Sequence, residues 1–253
     1  MVVTAPARLR ALPGLGVAAG LTAATVLAQI AYPLTPTGAP RDRLTVITVV
    51  LFFLASVAHA WVVRGVTFAL GLVAVTAGGG LLVEAVGVAT GAPFGSYAYA
   101  DSLGWHLFGV PVVIPLAWTM MAYPALLVGR RIAGGRWWGP LVAGWALASW
   151  DLFLDPQMVA AGHWRWAPSS PALLGVPLSN FAAWALIASV MMALLWRAGR
   201  RDERVADRLP LGLYLWTYAS SVLAHAAFFN LPGSALVGGL GMGAIVLALV
   251  ARR

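Results

Sequence analysis

Long apolar runs separated by short polar segments follow one another along the whole chain. A run of roughly 17–25 mostly apolar residues is long enough to cross a bilayer as a helix. Eight such runs occur, at about 12–31, 44–63, 66–89, 107–128, 138–157, 178–196, 211–229 and 234–251. The pattern predicts an all-α fold, a polytopic membrane helical bundle of about eight transmembrane helices, with residues 1–253 forming a single integral-membrane domain.

The composition of the chain is that of an integral membrane protein. Hydrophobic residues make up 61% of the sequence and charged residues 9%, with a mean hydropathy of +0.86, whereas soluble domains carry about 25% charged residues. Cysteine is absent, which excludes disulfides and thiolate metal sites. The net charge of +8 comes from arginine alone, and we interpret it as cytoplasmic loops rather than as a nucleic-acid-binding surface.

The distribution of arginine predicts the orientation of the bundle. If the N-terminus lies inside, 13 of the 16 arginines fall on the cytoplasmic side. The remaining three are Arg41, Arg43 and Arg165. Because positively charged loops stay in the cytoplasm, we expect a multi-pass protein of the plasma membrane with both termini inside.

One stretch, Trp150 to Trp166 (WDLFLDPQMVAAGHWRW), concentrates polar side chains in a chain with few charges. Asp151 and Asp155 are four residues apart, which places both on one helix face. The predicted orientation puts them near the outer leaflet, together with Glu84. A carboxylate inside a membrane helix costs roughly 2.5–3.5 kcal/mol. These three residues are therefore either interfacial groups bonded to loops or a sheltered acid/base set, in which one carboxyl group holds a proton while another is ionised.

Further polar and aromatic side chains are predicted at the same leaflet. Aromatic residues at this depth are typical of the interfacial belt of membrane proteins, but their rings could instead line a pocket and stabilise a carbocation. Asn180 and His225 could position a water molecule, although a single histidine is more often a packing residue. The candidate substrate-binding residues are Trp118, Trp150, Trp164, Trp166, Tyr97, Tyr99, Asn180, His163, His225 and Arg165.

Two segments share a pattern that indicates an internal two-helix repeat. The first contains Glu84, Gly95-x-Tyr97-x-Tyr99, Gly109-Val110-Pro111 and Ala117-Trp118, and the second contains Asp151, Gly162-x-Trp164-x-Trp166, Gly175-Val176-Pro177 and Ala183-Trp184. Because each unit contains two helices, the repeats would be parallel and related by an axis along the membrane normal. Glu84 and Asp151 would then be counterparts. The alternative explanation is that apolar helices align by chance.

Motifs of several other enzyme classes are absent from the sequence. It contains no HExxH, no histidine pair at metal-ligand spacing, no Walker loop and no GxGxxG after a strand, so no metal site is predicted. The pair Asp151-xxx-Asp155 resembles one half of the Mg²⁺–diphosphate site of membrane prenyltransferases. A second Asp-rich motif is missing, which argues against that function.

Three blocks of sequence resemble the integral-membrane carotenoid hydratases, the CruF-like family. The blocks are TGAPFGSYAYADSLGWHLFGVPVVIPLAW from Thr90, WDLFLDPQMVAAGHWRW from Trp150 and GVPLSNFAAW from Gly175, and they cover about residues 80–196. The resemblance implies a hydro-lyase of the carotenoid 1,2-hydratase type, which adds water across the terminal C=C of an acyclic carotenoid and gives a tertiary alcohol. It implies lycopene, γ-carotene or bisanhydrobacterioruberin as substrate types, and no redox cofactor.

The candidate residues suit that chemistry. Protonation of an alkene requires a strong donor, such as a carboxylic acid that its surroundings keep neutral. The resulting tertiary carbocation needs electron-rich walls, and water must reach it from one side with a base at hand. We therefore predict Asp151 as the acid and Asp155 or Glu84 as the base.

Other functions make different predictions. A transporter or lipid-binding protein needs polar residues along a path to both faces. Here the polar candidates lie on the outer half of the bundle, and His59 is the exception on the inner half. A non-catalytic partner of carotenoid enzymes would tolerate loss of all three acids. An end-group cyclase would use similar acid chemistry but exclude water, so that its product has the mass of the substrate.

Overall fold

The computed structural model describes residues 14–199 and 207–252. Six arginines on which the predicted orientation partly rests lie outside these residues: Arg8, Arg10, Arg200, Arg201, Arg204 and Arg253. The α-helices of the described part are α1 (Leu15–Ala31), α2 (Ala39–Arg64), α3 (Val66–Val73), α4 (Gly79–Thr90), α5 (Val113–Ala133), α6 (Gly139–Ala160), α7 (Leu178–Leu195), α8 (Arg208–Ala227) and α9 (Pro232–Val250).

A π-helical turn, Ala74–Gly78, joins α3 and α4 into one continuous rod, so the described chain forms eight rods in total. Six of these are long and apolar enough to cross a membrane. The other two, α6 and α8, contain 22 and 20 residues, and a helix of 20 residues spans about 30 Å. Both carry polar side chains that face the protein interior. The protein is therefore a multi-pass membrane protein with an all-α helical bundle, as its sequence predicts.

Local sequence explains several of the helix boundaries. Proline occupies the first turn of α2, α6 and α9, where its missing N–H costs nothing. Gly65 and Gly91 end α2 and α4 with φ of 91° and 78°, values that residues with a Cβ rarely adopt. One predicted start is wrong: the fourth long helix begins at Val113 and not near residue 107, because the residues before it form a β-hairpin.

Helix α5 is the central element of the bundle. Its span is 89% buried within the protein, whereas the other five apolar spans are 22–39% buried. It packs against α2, α6 and α8. A Cβ built on Gly129 of α5 would lie 2.5 Å from the Cβ of Ala143 on α6, so glycine permits the close approach of these two helices. The remaining helices therefore surround α5 and α6 and expose their outer faces to lipid.

In the part of the chain that the structure describes, six short strands close one end of the bundle, where α4 and α6 end and α5 and α7 begin. They are β1 (Tyr97–Tyr99), β2 (His106–Leu107), β3 (Val110–Pro111), β4 (Trp164–Trp166), β5 (Ala172–Leu173) and β6 (Val176–Pro177). Strands β2 and β3 form one hairpin and β5 and β6 another. Phe108 and Leu174 each have φ of 54°, and each is followed by a glycine with φ of 80°. Positive φ at both central residues defines the type I′ turn that suits two-residue hairpins.

The predicted internal repeat is visible in this end of the structure. The two hairpins occupy corresponding positions in the two segments and have the same turn. Strands β1 and β4, which also correspond, pair with each other in antiparallel register, Tyr97 opposite Trp166, Ala98 opposite Arg165 and Tyr99 opposite Trp164. Pairing of equivalent positions is the arrangement that a two-fold axis produces. We refer to the β1–β4 pair as the ribbon.

Candidate active site

Two aspartates of α6 form the centre of a buried polar cluster. Asp151 and Asp155 are 1% and 3% exposed, and both carboxyl groups accept a hydrogen bond from the same side chain. The side-chain amide of Asn180, at the start of α7, donates to Oδ2 of Asp151 at 2.8 Å and to Oδ2 of Asp155 at 2.5 Å. Asn180 thus uses both of its N–H groups to hold the two carboxyl groups together.

The hydrogen bonds of this pair indicate how it shares a proton. Two buried carboxyl groups that one amide holds next to each other do not both ionise, so one of them keeps a proton that it can share with the other. Oδ1 of Asp155 also accepts a hydrogen bond from Nε1 of Trp164 at 2.6 Å, so Asp155 accepts from more donors than Asp151 does. Donors favour the ionised form of a carboxyl group. Of the two carboxyl groups, Asp155 is therefore the better placed to carry the negative charge.

Glu84 of α4 is a second buried acid and has different partners. It is 4% exposed. Its Oε2 accepts hydrogen bonds from the hydroxyls of Tyr97 at 2.5 Å and Tyr99 at 2.9 Å, and its Oε1 accepts one from Nε1 of Trp118 at 3.2 Å. Three donors and no acceptor around one carboxyl group suit a carboxylate anion.

The two tyrosines of the ribbon remain donors to this carboxylate. Burial, and after it the charge of Glu84, raises the pKa of the Tyr97 and Tyr99 hydroxyls above its usual value near 10. Both phenols therefore stay protonated over the whole physiological pH range. The ribbon holds both Glu84 and the aspartate pair, because β1 supplies hydrogen-bond donors to Glu84 and β4 supplies Trp164 as a donor to Asp155.

All three acids line one cavity of about 170 Å³ between the helices and the ribbon. A space of this size holds several water molecules or the branched end of a hydrocarbon chain. Indole rings form much of its wall: Trp118 and Trp184 stack with centroids 3.8 Å apart and planes at 6°, and Trp150 meets Trp184 edge-on at 6.5 Å. The π faces of such rings attract a cation.

Comparison with known proteins gives the family. The model of a family described as carotenoid biosynthesis protein matches residues 44–249, most of the chain. The chain belongs to this family. It is also 38% identical over 120 residues to bisanhydrobacterioruberin hydratase of Haloarcula japonica, and the match covers 44% of this chain and 39% of that protein. No solved structure matches the chain.

In this member of the carotenoid biosynthesis family, most of the predicted site residues meet around the cavity. The predicted residues that line it are Glu84, Tyr97, Tyr99, Trp118, Trp150, Asp151, Asp155, Trp164, Trp166 and Asn180. They come from α4, α5, α6, α7 and the ribbon. Apolar runs distant in sequence thus bring nearly all the candidate groups into a single site.

Three predicted site residues lie elsewhere. Arg165 is exposed on the outer side of the ribbon, opposite Ala98. His163 is fully buried behind the ribbon, where its Nδ1 meets the hydroxyl of Ser102 at 2.8 Å and burial lowers its pKa below the usual 6.5. His225 reaches the cavity only through Gln157, whose Oε1 lies 3.1 Å from its Nε2.

The structure adds cavity residues that sequence reasoning did not select. Trp184 stacks on Trp118, and the sequence carried a signal for it, because the two tryptophans are counterparts in the repeat. Gln157, one of the lining residues, lies in the same stretch as the two aspartates. Within residues 14–199 and 207–252, no three His, Asp or Glu side chains are grouped so as to hold a metal ion.

Proposed function

We propose that the cavity hydrates the terminal double bond of an acyclic carotenoid by acid catalysis. The observation that carries the proposal is a pair of carboxyl groups, Asp151 and Asp155, joined by the amide of Asn180 and buried beside stacked indole rings inside a membrane protein. A buried acid beside an electron-rich wall is what protonation of an unactivated alkene requires. The relative named bisanhydrobacterioruberin hydratase supports water as the second substrate.

In the first step, Asp151 donates its proton to the less substituted carbon of the terminal C=C. A C–H bond forms, and the positive charge develops on the tertiary carbon. The π faces of Trp118 and Trp184 and the fixed negative charge of Glu84 stabilise this carbocation, since preorganised charges act strongly in a low-dielectric site.

In the second step, water attacks the tertiary carbon and its surplus proton passes to a carboxylate. Of the two candidate bases, Asp155 fits this role better than Glu84. Once Asp151 has lost its proton, its hydrogen bond to Asp155 is gone, so Asp155 regains a free acceptor position when a base is needed. Glu84 keeps its three donors throughout. Return of the proton from Asp155 to Asp151 completes the cycle.

The bilayer accommodates the rest of the substrate. A polyene is as apolar as lipid tails, and the hydrocarbon core is about 30 Å thick, so one end of the chain can enter the cavity while the remainder stays in lipid. Lycopene, γ-carotene and bisanhydrobacterioruberin end groups all offer the required alkene. The site needs no redox cofactor for this reaction, and the plasma membrane is the expected location.

Expression in cells that make lycopene tests the proposal. We expect pigments with the mass of one or two added waters per molecule, and incorporation of ¹⁸O when the cells grow in H₂¹⁸O. A matched strain that carries Asp151→Asn should accumulate the protein in its membranes without the alcohol. A product of unchanged mass but different retention would indicate a cyclase, and unchanged lycopene would exclude both reactions on this substrate.

A further inference from the structure

The cavity has a second polar region that the reaction steps above do not use. It lies on α1 and the turn after it, on α2 and on α8, whereas the acids lie on α4 and α6. We call it the hydroxyl arm, and its lining residues are Gln29, Tyr32, Thr45, Thr48, Thr217, Ser220 and Ser221. None of these side chains carries a charge, so the arm suits a small neutral ligand that both donates and accepts hydrogen bonds.

The hydrogen bonds that the arm already makes leave both acceptor and donor positions for such a ligand. Thr217 and Ser220 donate to carbonyl oxygens of their own helix at 2.8 and 3.3 Å, which leaves their oxygen lone pairs as acceptors. Gln29 accepts a hydrogen bond from Nε1 of Trp216 at 2.8 Å, and its amide N–H groups remain to donate. The arm thus offers both acceptors and donors along one wall.

Thr48 adds an independent observation. Its Oγ1 is buried and has no hydrogen-bond partner among the described residues. A buried hydroxyl without a partner is unfavourable, and since Thr48 lines the cavity, a ligand in the arm can satisfy it.

Two aromatic rings stand where the arm approaches the ends of the helices. Tyr32 begins the short turn that follows α1, and Phe229 follows α8. Their rings meet edge-to-face with centroids 5.8 Å apart, and both residues line the cavity. The two rings therefore meet at the end of the cavity nearest the C-termini of α1 and α8.

We propose that the hydroxyl arm is the route by which water reaches the carboxyl pair, with Tyr32 and Phe229 at its mouth. The proposal rests on the proposed hydration function, because that reaction consumes one water in each turnover. Water from the arm forms the new C–O bond and gives its proton to Asp155. The polyene occupies the part of the cavity walled by indole rings, on the other side of the acids.

Deuterium separates proton transfer from water delivery. In D₂O, the acid adds deuterium to the alkene, and a cation that meets no water loses a proton again. Alkene that has reacted and reverted therefore carries deuterium, whereas captured cation appears as tertiary alcohol. The purified full-length protein, supplied with lycopene in D₂O, gives both readouts by mass spectrometry.

The informative variants are Thr48→Val and Ser221→Ala, with Thr22→Val as a matched control in α1 outside the cavity. Because Thr48→Val and Ser221→Ala each remove a hydrogen-bonding site for water, we expect alcohol formation to fall about two- to tenfold in these two variants. The deuterium content of recovered lycopene should equal or exceed that obtained with the unsubstituted protein, because proton transfer to the alkene is unaffected. Thr48→Ser, which keeps the hydroxyl, should restore alcohol formation and so excludes a folding defect as the cause.

Two results would overturn the inference while leaving the hydration proposal intact. One is alcohol formation in Thr48→Val and Ser221→Ala equal to that of Thr22→Val. The other is a parallel loss of alcohol and deuterium, which would show that the arm binds the carotenoid. If the unmodified protein yields neither alcohol nor deuterated lycopene, the proposed function itself fails.

Discussion

Substitution of asparagine for each aspartate of the pair separates catalysis from folding. In Asp151→Asn, the new amide can donate an N–H to Asp155 and accept from Asn180 with its oxygen, so both hydrogen bonds of the original carboxylic acid persist. The amide therefore imitates the protonated acid in every contact except that it cannot transfer the proton. We expect the free energy of unfolding to change by less than about 0.5 kcal/mol.

The loss of activity in Asp151→Asn should be large. General acid catalysis contributes about 10²- to 10⁴-fold to the rate, and an unactivated alkene depends on it fully. We expect alcohol formation to fall by at least about 10²-fold.

Asp155→Asn should behave differently in the folding measurement. Asp155 accepts hydrogen bonds from Trp164 at 2.6 Å and from Asn180 at 2.5 Å. An amide at this position turns an N–H group toward at least one of these donors. A buried donor without an acceptor costs about 1–3 kcal/mol, and each kcal/mol lowers the Tm of a chain of this size by about 2–4 °C.

The assay pairs two measurements on the same detergent preparations. Tryptophan fluorescence gives the Tm of each variant, and mass spectrometry gives the alcohol formed from lycopene. Substantial activity in Asp151→Asn, within about tenfold of the unsubstituted protein, would refute the assignment of the acid. Equal Tm values of Asp151→Asn and Asp155→Asn would refute the assignment of the proton to Asp151.

Three further predictions address the surroundings of the pair. A Cβ at Gly80 would lie 2.8 Å from ring atoms of Trp118, so Gly80→Ala should lower the free energy of unfolding by about 1–3 kcal/mol. The control is Gly78→Ala, whose Cβ would meet nothing within 4 Å and should leave stability unchanged. Equal Tm values of the two variants would contradict this packing. Tyr99→Phe leaves Glu84 with two hydrogen-bond donors, and the loss of a hydrogen bond to a charged group should reduce alcohol formation about tenfold. Unchanged alcohol formation would show that this donor is dispensable. Burial lowers the pKa of His163 below 6.5 in the folded protein, so as the pH falls the unfolded chain binds this proton before the folded chain does. Stability should therefore fall as the pH drops below about 6.5. A plot of Tm against pH should be flatter for His163→Gln.

The positions of the helices follow from sequence because the thickness of the bilayer fixes their length. The start of α5 does not, since residues 106–111 are as apolar as the helix that follows. A signal was available there, because Phe108-Gly109 is a two-residue hairpin turn with positive φ at both positions. Hydropathy alone does not distinguish an apolar hairpin from a helical end.

The site was partly predictable for a related reason. Depth in the membrane follows from topology, and the repeat pairs Glu84 with Asp151, so the convergence of the acids could be predicted. The direction in which a side chain points around its helix could not, because a nearly uniform apolar helix has no polar face to orient it. His225 has the expected depth, yet it faces Phe153 and Gln157 and not the acids.

Thr48 and the other residues of the hydroxyl arm gave no signal in the sequence. Serine and threonine in membrane helices commonly bond to the carbonyl four residues earlier, as Thr22 and Thr25 do. Their count in a helix therefore says nothing about a cavity. Only the packing of α1, α2 and α8 brings these hydroxyls together.

The pairing of β1 with β4 bears on how such a site can arise. Since equivalent positions of the two repeats meet in the ribbon, two copies of a two-helix ancestor could assemble the same ribbon as a homodimer. A homodimer has identical groups on both sides of its axis. Fusion of the copies into one chain removes that constraint, so that one half can keep a fixed anion, Glu84, while the other half acquires an exchangeable proton between Asp151 and Asp155.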